Sequence, residues 1–522
     1  MSKILAYYDL RGIQDFIFAS NKLKENVGAS LIVQRVLDTF LEDIILKCKK
    51  NGNDAELIYS GGGNAMAEYG DDEIYRDVNM ALSRKILEET GNAIRFASAY
   101  AEGDCSDFPT ARDAVLKELA KNKYQGIQTS PLPGIAITRE GLTDGLPAQK
   151  ECKKQSTFYS LPAWKKREVS NSEYYEQEIK IPGNYTFAQE FDDLGRRTGE
   201  SHIAVVHIDG NNMGKKINRL KSYDEMKEFS DNIKKAYKEA MIFVTKELVE
   251  ALNETGLAKE LDLKTDENDK LIFPLRIIVL NGDDVTFVTD GRLGLALANL
   301  FLQEVHNNPI TVGGKPMSLS ACAGIAIVKS HFPFYRAYQL AEELCRSAKT
   351  KGKILFKQKK NSENEEMGSW LDFHIVYSGI TTKLEELRTK QYNIPGYVKA
   401  ESFTYPPRSD TPDMELKSFN LLWRPWCAAG QCEEKYKWKH LMKILKIFKE
   451  EWPRSRLKRL RNDSVKSKAD VDNLLKEFKS RGKELSPFMG ERDYLRDDNR
   501  SPYFDAVELL DFYEFPVEGG DE

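Results

Sequence analysis

The stretch RIIVLNGDDVTFVTDG, residues 276–291, sets two adjacent carboxylates, Asp283 and Asp284, at the turn between two apolar strand segments. A third carboxylate, Asp209, directly follows the apolar run AVVHI. A run this apolar reads as a central strand, which places Asp209 at its C-terminal end. If the fold makes Asp209, Asp283 and Asp284 neighbours, they form an acidic site for Mg²⁺ or Mn²⁺, hard ions that take oxygen ligands and bind phosphates. Two such ions per site, roughly 4 Å apart, lower the pKa of an attacking 3′-hydroxyl and neutralise a leaving pyrophosphate. Without metal the cluster repels itself and at least one carboxyl pKa rises. Asn281 and Gly282 suit the positive φ of a two-residue hairpin turn, and Gly282 leaves room for a nucleotide near the backbone. The competing reading of NGDD is an ordinary surface turn.

Other residues offer nucleotide contacts. DGNNMGKK, 209–216, opens a helix whose first N–H groups can receive phosphate oxygens, but it lacks the GxxxxGK[ST] pattern of a P-loop. Asn211 and Asn212 either cap that helix or, for Asn212, meet the nucleotide. Lys215 and Lys216 read as solvated helix charges. Lys349 and Lys353 follow a strand and lie on a helix expected to pack on the sheet; either can reach a triphosphate or remain a surface charge. SGGGN, residues 60–64, is a second candidate: Gly61, Gly62 and Gly63 permit close approach, and Ser60 or Asn64 can bond a base or ribose. A purely structural glycine turn is the alternative. Asp9 ends the first strand, but no hairpin carboxylate accompanies it. That half is poorly equipped to hold two metals; one site would activate a donor nucleotide and the other hold an acceptor.

These side chains need elements to position them. Residues 4–9 read as a strand, 21–50 as a helix with apolar positions three and four apart, and AELIYSGGGNAMAEYG as strand, glycine turn and strand. A helix at VNMALSRKILEET and a strand at AIRFASAY complete the order βαββαβ. The order returns after residue 202: strand, long helix 223–255, the NGDD hairpin, helix 292–307, strand 316–329 and helix 334–353. The expected fold is α+β, with two ferredoxin-like palm domains plus helical regions. Their boundaries are read as a first, non-catalytic palm at 1–105, an inter-palm linker with helical content at 106–195, a second palm at 196–376, and a mainly helical C-terminal domain at 377–522. A Pro-bearing connection, ESFTYPPRSDTPDMELKS, lies in the last of these. Residues 435–461 carry eleven Lys/Arg against two Glu and read as two helices broken at Pro453. That stretch is either a nucleic-acid contact or, more commonly, a solvated amphipathic face, with Trp438 and Trp452 as packing anchors.

Composition narrows the classes. With 522 residues the chain is expected to hold two to four domains. A net charge of −4 gives no global field for nucleic acid, so any polyanion site must be local. Seven scattered Cys without a CxxC pair indicate neither a disulfide framework nor a zinc ribbon, and fit a reducing, cytoplasmic setting. No HExxH is present and no apolar run is long enough for a membrane span.

Taken together, YYDLRGIQDFIFASNKLKENVGAS (7–30), YSGGGN (59–64), VVHIDGNNMG (205–214), NGDD, SACAGIAIVKSHFPFYRAYQLAEELCRSAK (320–349) and SWLDFHIV (369–376) resemble the large, cyclase-bearing subunit of type III CRISPR effector complexes, the Csm/Cmr large-subunit family. The resemblance implies synthesis of cyclic oligoadenylate second messengers from ATP. It assigns Asp209, Asp283 and Asp284 to the metal site, Asn281 and Gly282 to the catalytic hairpin, residues 60–63 to the partner palm, and Lys349 to a basic position after the last palm helix. Asn281 departs from the usual Gly. The palm begins at residue 4 with no preceding His-Asp dyad, so no HD nuclease site is expected. Only Cys105 and Cys152 lie between the palms, which argues against the family's zinc module there. The implied partners are ATP and small subunits of a complex carrying guide RNA; direct nucleic-acid binding stays open. A non-catalytic nucleotide-sensing or scaffold subunit is the alternative function.

Overall fold

The computed structural model describes residues 4–49, 54–102, 107–125, 134–135, 137–153, 156–170, 179–358, 366–377, 383–394, 419–495 and 500–516. The Pro-bearing connection at 401–418 and Cys105 fall outside them.

The first sheet contains β1 (Ile4–Arg11), β2 (Ala55–Gly61), β3 (Asn64–Tyr69) and β4 (Arg95–Glu102), in the order β2-β3-β1-β4. Every neighbouring pair is antiparallel. Helix α1 (Leu23–Arg35) follows β1 and α2 (Asp72–Thr90) follows β3. The helix expected over 21–50 continues from α1 through a π-turn at Val36–Phe40 into Leu41–Cys48. Local signals fix the ends of α2: Asp71 Oδ1 accepts from the Ile74 N–H at 2.9 Å, and Gly91 closes the helix at φ +58°.

Helix α3 (Phe108–Gln125) lies on β4 and β1 of this sheet. Its Phe108, Ala111, Val115 and Leu119 are all buried, at helical spacing. The boundary drawn at 105 therefore cuts through packed structure, because the apolar stripe of α3 belongs to the first sheet.

The second sheet repeats the plan. It holds β5 (His202–Gly210), β6 (Leu275–Asn281), β7 (Asp284–Asp290) and β8 (Ala321–Lys329), ordered β6-β7-β5-β8. Between them run α4 (Tyr223–Glu254) and α5 (Gly294–Asn307), and α6 (Phe334–Gln358) follows β8. Two strands extend the sheet beyond β8: β9 (Ser369–Ile375), parallel to it, and β10 (Trp426–Ala429), antiparallel to β9. The boundary at 376 is corrected in the same way, since β10 comes from beyond it. The strand expected over 316–329 also divides: Lys315–Met317 pairs with Ile310–Val312 in a separate hairpin, and β8 proper starts at Ala321.

The centre of β8 shows how closely helix and sheet pack. A Cβ on Gly324 would stand 1.9 Å from the Ala341 carbonyl oxygen and 2.3 Å from the Cys345 nitrogen, both backbone atoms of α6. Gly324→Ala must lift α6 off the sheet. It is expected to cost about 3 kcal/mol or more, read as a shift in denaturant midpoint at unchanged m-value.

The two sheets share one apolar core. Phe18 of the first half stacks on Tyr338 of α6 at 3.6 Å between ring centroids. Beyond β10 come α7 (Trp438–Glu451), α8 (Arg454–Ser464) and α9 (Lys468–Ser480), with Pro453 just before α8. Trp438 and Trp452 are buried, while much of the basic side-chain set between them is exposed.

Candidate active site at two facing hairpins

In the β6–β7 hairpin Asn281 is opposite Asp284, and Gly282 and Asp283 form the turn. Gly282 has φ +64° and Asp283 is not in the left-handed region, the backbone pattern of a turn that leads with glycine. Asn281 therefore takes no positive-φ position, contrary to the sequence reading. It ends β6, and its side-chain oxygen accepts from the Gly62 N–H at 3.4 Å.

Asp284 is the direct register partner of Asp209 across β7 and β5, so the two side chains share one face of the sheet. Asp283 folds back toward the same place: its carbonyl accepts from the Gly210 N–H at 3.2 Å. A Cβ at position 210 would stand 2.7 Å from Asp283 Oδ2, so the close approach requires glycine there. The three carboxylates named from sequence thus meet at one end of β5 and β7.

Their electrostatics follow from crowding. Burial, and then the charges of Asp209 and Asp284, push Asp283 up to about 6. Burial, and then Asp209, push Asp284 up to about 7. The Asp284 side chain is 44% exposed, yet its Oδ1 is enclosed and makes no hydrogen bond among the described residues, with His207 Nδ1 3.5 Å away. Behind it, His207 is pushed down to about 4 by burial, so the imidazole is neutral at pH 7. Lys349 bonds the Asp209 carboxylate and donates to the Gly210 carbonyl at 2.9 Å. Burial alone would lower the Lys349 pKa, but Asp209 outweighs it and the net shift is upward. Among the described residues no three His, Cys, Asp or Glu side chains stand as a preformed metal cage. The cation now on Asp209 is Lys349.

The remaining candidates divide. Lys353 is exposed, one turn beyond Lys349, and makes no ion pair with the carboxylates among the described residues. Asn212 precedes a short helix, Met213–Ile217, but does not cap it through its side chain. Its amide instead lies 3.5 Å from Glu366, which also holds Lys216 at 2.8 Å and accepts from Ser320 at 3.0 Å. Lys216 is therefore a buried ion-pair partner and not a solvated charge.

In the first half, Ser60 bonds Asp38, which also holds Lys234 of α4 at 3.3 Å. The Asn64 amide donates to the Gly62 carbonyl of its own turn at 3.1 Å. Gly62 faces the other hairpin: a Cβ on Gly282 would lie 3.7 Å from the Gly62 nitrogen.

The halves agree in detail. Asp9 is opposite Asn64 as Asp209 is opposite Asp284. Lys123 of α3 pairs with Asp9 at 2.8 Å, as Lys349 of α6 pairs with Asp209. Both hairpins shift register at the same place, between Leu57 and Tyr59 and between Ile277 and Val279. Sequence reasoning missed Lys123, Asp38, Lys234 and Glu366. The one available signal for Lys123 was its place late in the helix after the fourth strand, matching Lys349.

A ferredoxin-like sheet whose first strand ends in Asp, opposite an acidic hairpin, defines a palm domain. Residues 202–359 match the family model for the second palm domain of Cas10/Cmr2, and residues 2–131 match that for domain B of the Csm1 subunit. Those two segments make up more than half of the chain, and the chain belongs to the Cas10/Csm1 large-subunit family of type III CRISPR effector complexes. Similar solved structures include a Csm1-Csm4 cassette in complex with cA3, at TM-score 0.51 and 12% identity, covering 98% of this chain and 70% of that one. A cassette with AMPPNP gives TM-score 0.50 at 14% identity over 98% and 69%, and one with a single ATP gives 0.50 at 12% over 98% and 70%. In the apo Csm1-Csm4 cassette the chain spans 53% of the matched chain's length. At these identities the likeness is one of fold. No curated protein sequence matches.

Proposed function

We propose that the chain is a metal-dependent nucleotidyltransferase that joins ATP into cyclic oligoadenylate, or a related cyclic oligonucleotide, in antiviral defence. The observation that carries this is the register pair Asp209–Asp284, with Asp283 folded against Gly210 beside it. Asp209, Asp283 and Asp284 would hold Mg²⁺ or Mn²⁺. The donor set fits: all ligating atoms are carboxylate oxygens, one of them enclosed without a partner, and two of the groups have raised pKa values that a divalent ion would bring back down. When bound, the ions supply charge neutralisation at the triphosphate and a lowered pKa for the attacking 3′-hydroxyl.

The chain's own residues do the rest. Gly282 and the glycines at 61–63 leave backbone open where the hairpins face each other, so that a donor at the acidic hairpin and an acceptor at the other can approach. Neutral His207 lies behind the acids and adds no positive charge. Lys349, now paired with Asp209, would be freed to meet the triphosphate where a divalent ion replaces it on the acids. Lys349→Ala is expected to weaken ATP binding about tenfold, near 1.4 kcal/mol, by isothermal titration with Mg²⁺. Unchanged affinity removes Lys349 from the site.

Support also comes from the relatives, whose structures are described with ATP, AMPPNP and cA3 and with the Csm4 subunit. On that basis the partners are ATP and small subunits of a guide-RNA complex. The second reading, a non-catalytic nucleotide-sensing or scaffold subunit, is favoured by Lys349 occupying Asp209. The deciding experiment incubates purified protein with each NTP and Mg²⁺ or Mn²⁺ and identifies products by mass, beside Asp283→Ala/Asp284→Ala. Pyrophosphate and cyclic product from the wild type alone are expected. Nucleotide binding without pyrophosphate release would select the scaffold reading.

A further inference from the structure

The opposite end of the catalytic sheet has a cavity of about 350 Å³, lined by the strand ends His202, Asp290 and Lys329 and closed by side chains of α8 and the C-terminal segment. His202 and Asp209 are seven residues apart on β5, about 23 Å at strand rise, so this cavity is separate from the acidic hairpin. A volume of this size at a junction of substructures suits a small ligand.

Five cations line it, Arg196, Arg292, Lys329, Arg454 and Arg461, against three acids, Glu200, Asp290 and Asp511. Three of the cations are already paired. Arg292 grips Asp290 through two nitrogens, at 2.8 and 2.6 Å, and donates to the carbonyls of Glu260 and Leu261. Arg454 pairs with Asp511, and Lys329 with Glu200 at 3.2 Å. Arg196 and Arg461 have no ion-pair partner among the described residues. Arg461 instead lies over the Tyr377 ring, 4.3 Å from its centroid, which holds the guanidinium plane without using its hydrogen-bonding fork. The cavity therefore has an excess of two positive charges and two guanidinium groups outside any ion pair, one of them pre-oriented; Asp511 and Asp262 act on Arg461 and Arg196 from a distance, and Phe512 adds an apolar wall.

We propose that this cavity binds a phosphomonoester dianion, the group carried by a nucleoside monophosphate or by the 5′ end of an RNA. Two free guanidinium forks match two negative charges and three terminal oxygens, and Arg is suited to phosphate in this bidentate manner. A phosphodiester has one charge and two terminal oxygens, enough for a single fork, so it binds more weakly.

The test titrates the full chain, in chelator, with AMP, adenosine and adenosine 3′,5′-cyclic phosphate. AMP is expected to bind at least tenfold more tightly than the other two. Asp283→Ala/Asp284→Ala should leave AMP binding unchanged, and Arg196→Ala/Arg461→Ala should weaken it at least tenfold with an unaltered melting temperature. If that pair destabilises the fold, the exposed change Lys329→Gln serves as second variant and should weaken AMP binding several-fold. A 5′-phosphorylated oligoribonucleotide that outcompetes its 5′-hydroxyl counterpart and AMP assigns the source to an RNA end; parity with AMP assigns it to the free nucleotide. No AMP binding at 1 mM, equal binding of the cyclic diester, loss of binding in the Asp283/Asp284 variant, or retention within twofold in the arginine variant each overturns the proposal.

Discussion

Replacing Asp284 with Asn is expected to lower product formation by on the order of 10³-fold and, in the metal-free protein, to raise the melting temperature at pH 8. The two effects share one cause. Asp284 has its carboxyl held at about 7, first by burial and then by Asp209. The folded state thus binds a proton more tightly than the unfolded chain, whose Asp titrates near 3.9. The wild type is penalised above pH 7 and recovers as pH falls through 7 toward 4. Asn carries no such charge. Because one Asp284 oxygen remains solvated, the gain is put at about 1–2 kcal/mol at pH 8. Melts in chelator across pH 4–8 check this: the gap between variant and wild type must close on acidification, and a widening gap would sink the account. Saturating Mg²⁺ should stabilise the wild type and not the variant. Neutral His374 contributes with the opposite sign. Burial, then Arg424 and Arg388, hold its pKa well below 6.5, so its contribution is present above pH 6.5 and lost as pH falls. Only the difference between the two proteins isolates Asp284.

Arg424→Leu is expected to destabilise the protein by about 3–5 kcal/mol, the cost of stranding buried carboxylates. The Arg424 side chain is fully buried, as are its partners Asp505 and Glu508. It donates to Glu508 at 2.8 Å and its guanidinium lies 4.0 Å from the centre of the Phe373 ring of β9. Trp426 of β10 and the Arg424 backbone N–H both donate to Asp505, at 2.8 and 2.9 Å. This cluster fastens the last strand of the second sheet to the C-terminal segment. Chemical denaturation checks the loss. Arg424→Leu/Glu508→Gln should recover part of it, because Gln keeps a partner for the Tyr392 hydroxyl without the charge. No recovery would mean that lost packing on Phe373, and not stranded charge, governs the effect.

Which parts of this were legible beforehand follows from the range of the interactions. The β5 strand, its terminal Asp209 and the β6–β7 hairpin announce themselves within a dozen residues each, through apolar runs and turn chemistry. Two βαββαβ orders then imply a common strand sequence in both sheets. Contacts made by one long side chain across a hundred residues leave no such trace. Lys216 looks like any helix lysine until the fold brings Glu366 to it, and Lys123 like a surface charge until Asp9 is beside it. Asn281 was misread for a subtler reason: Asn and Gly adjoin at the turn, and only the backbone reveals which one bears the positive φ. The edges at 105 and 376 failed because α3 and β10 complete sheets whose other strands lie far off in sequence.

The aspartate–lysine pair recurs in both halves, and the turn between β2 and β3 shows where they part. Gly63 occupies the place of Asp283, but with φ +78°, and a Cβ there would stand 2.4 Å from Ile13 Cδ1. An aspartate at that point would strain the backbone, and the flexible end of Ile13 would have to move aside. The first turn thus favours glycine at the very position where the second carries an acid, so the two hairpins are not interchangeable.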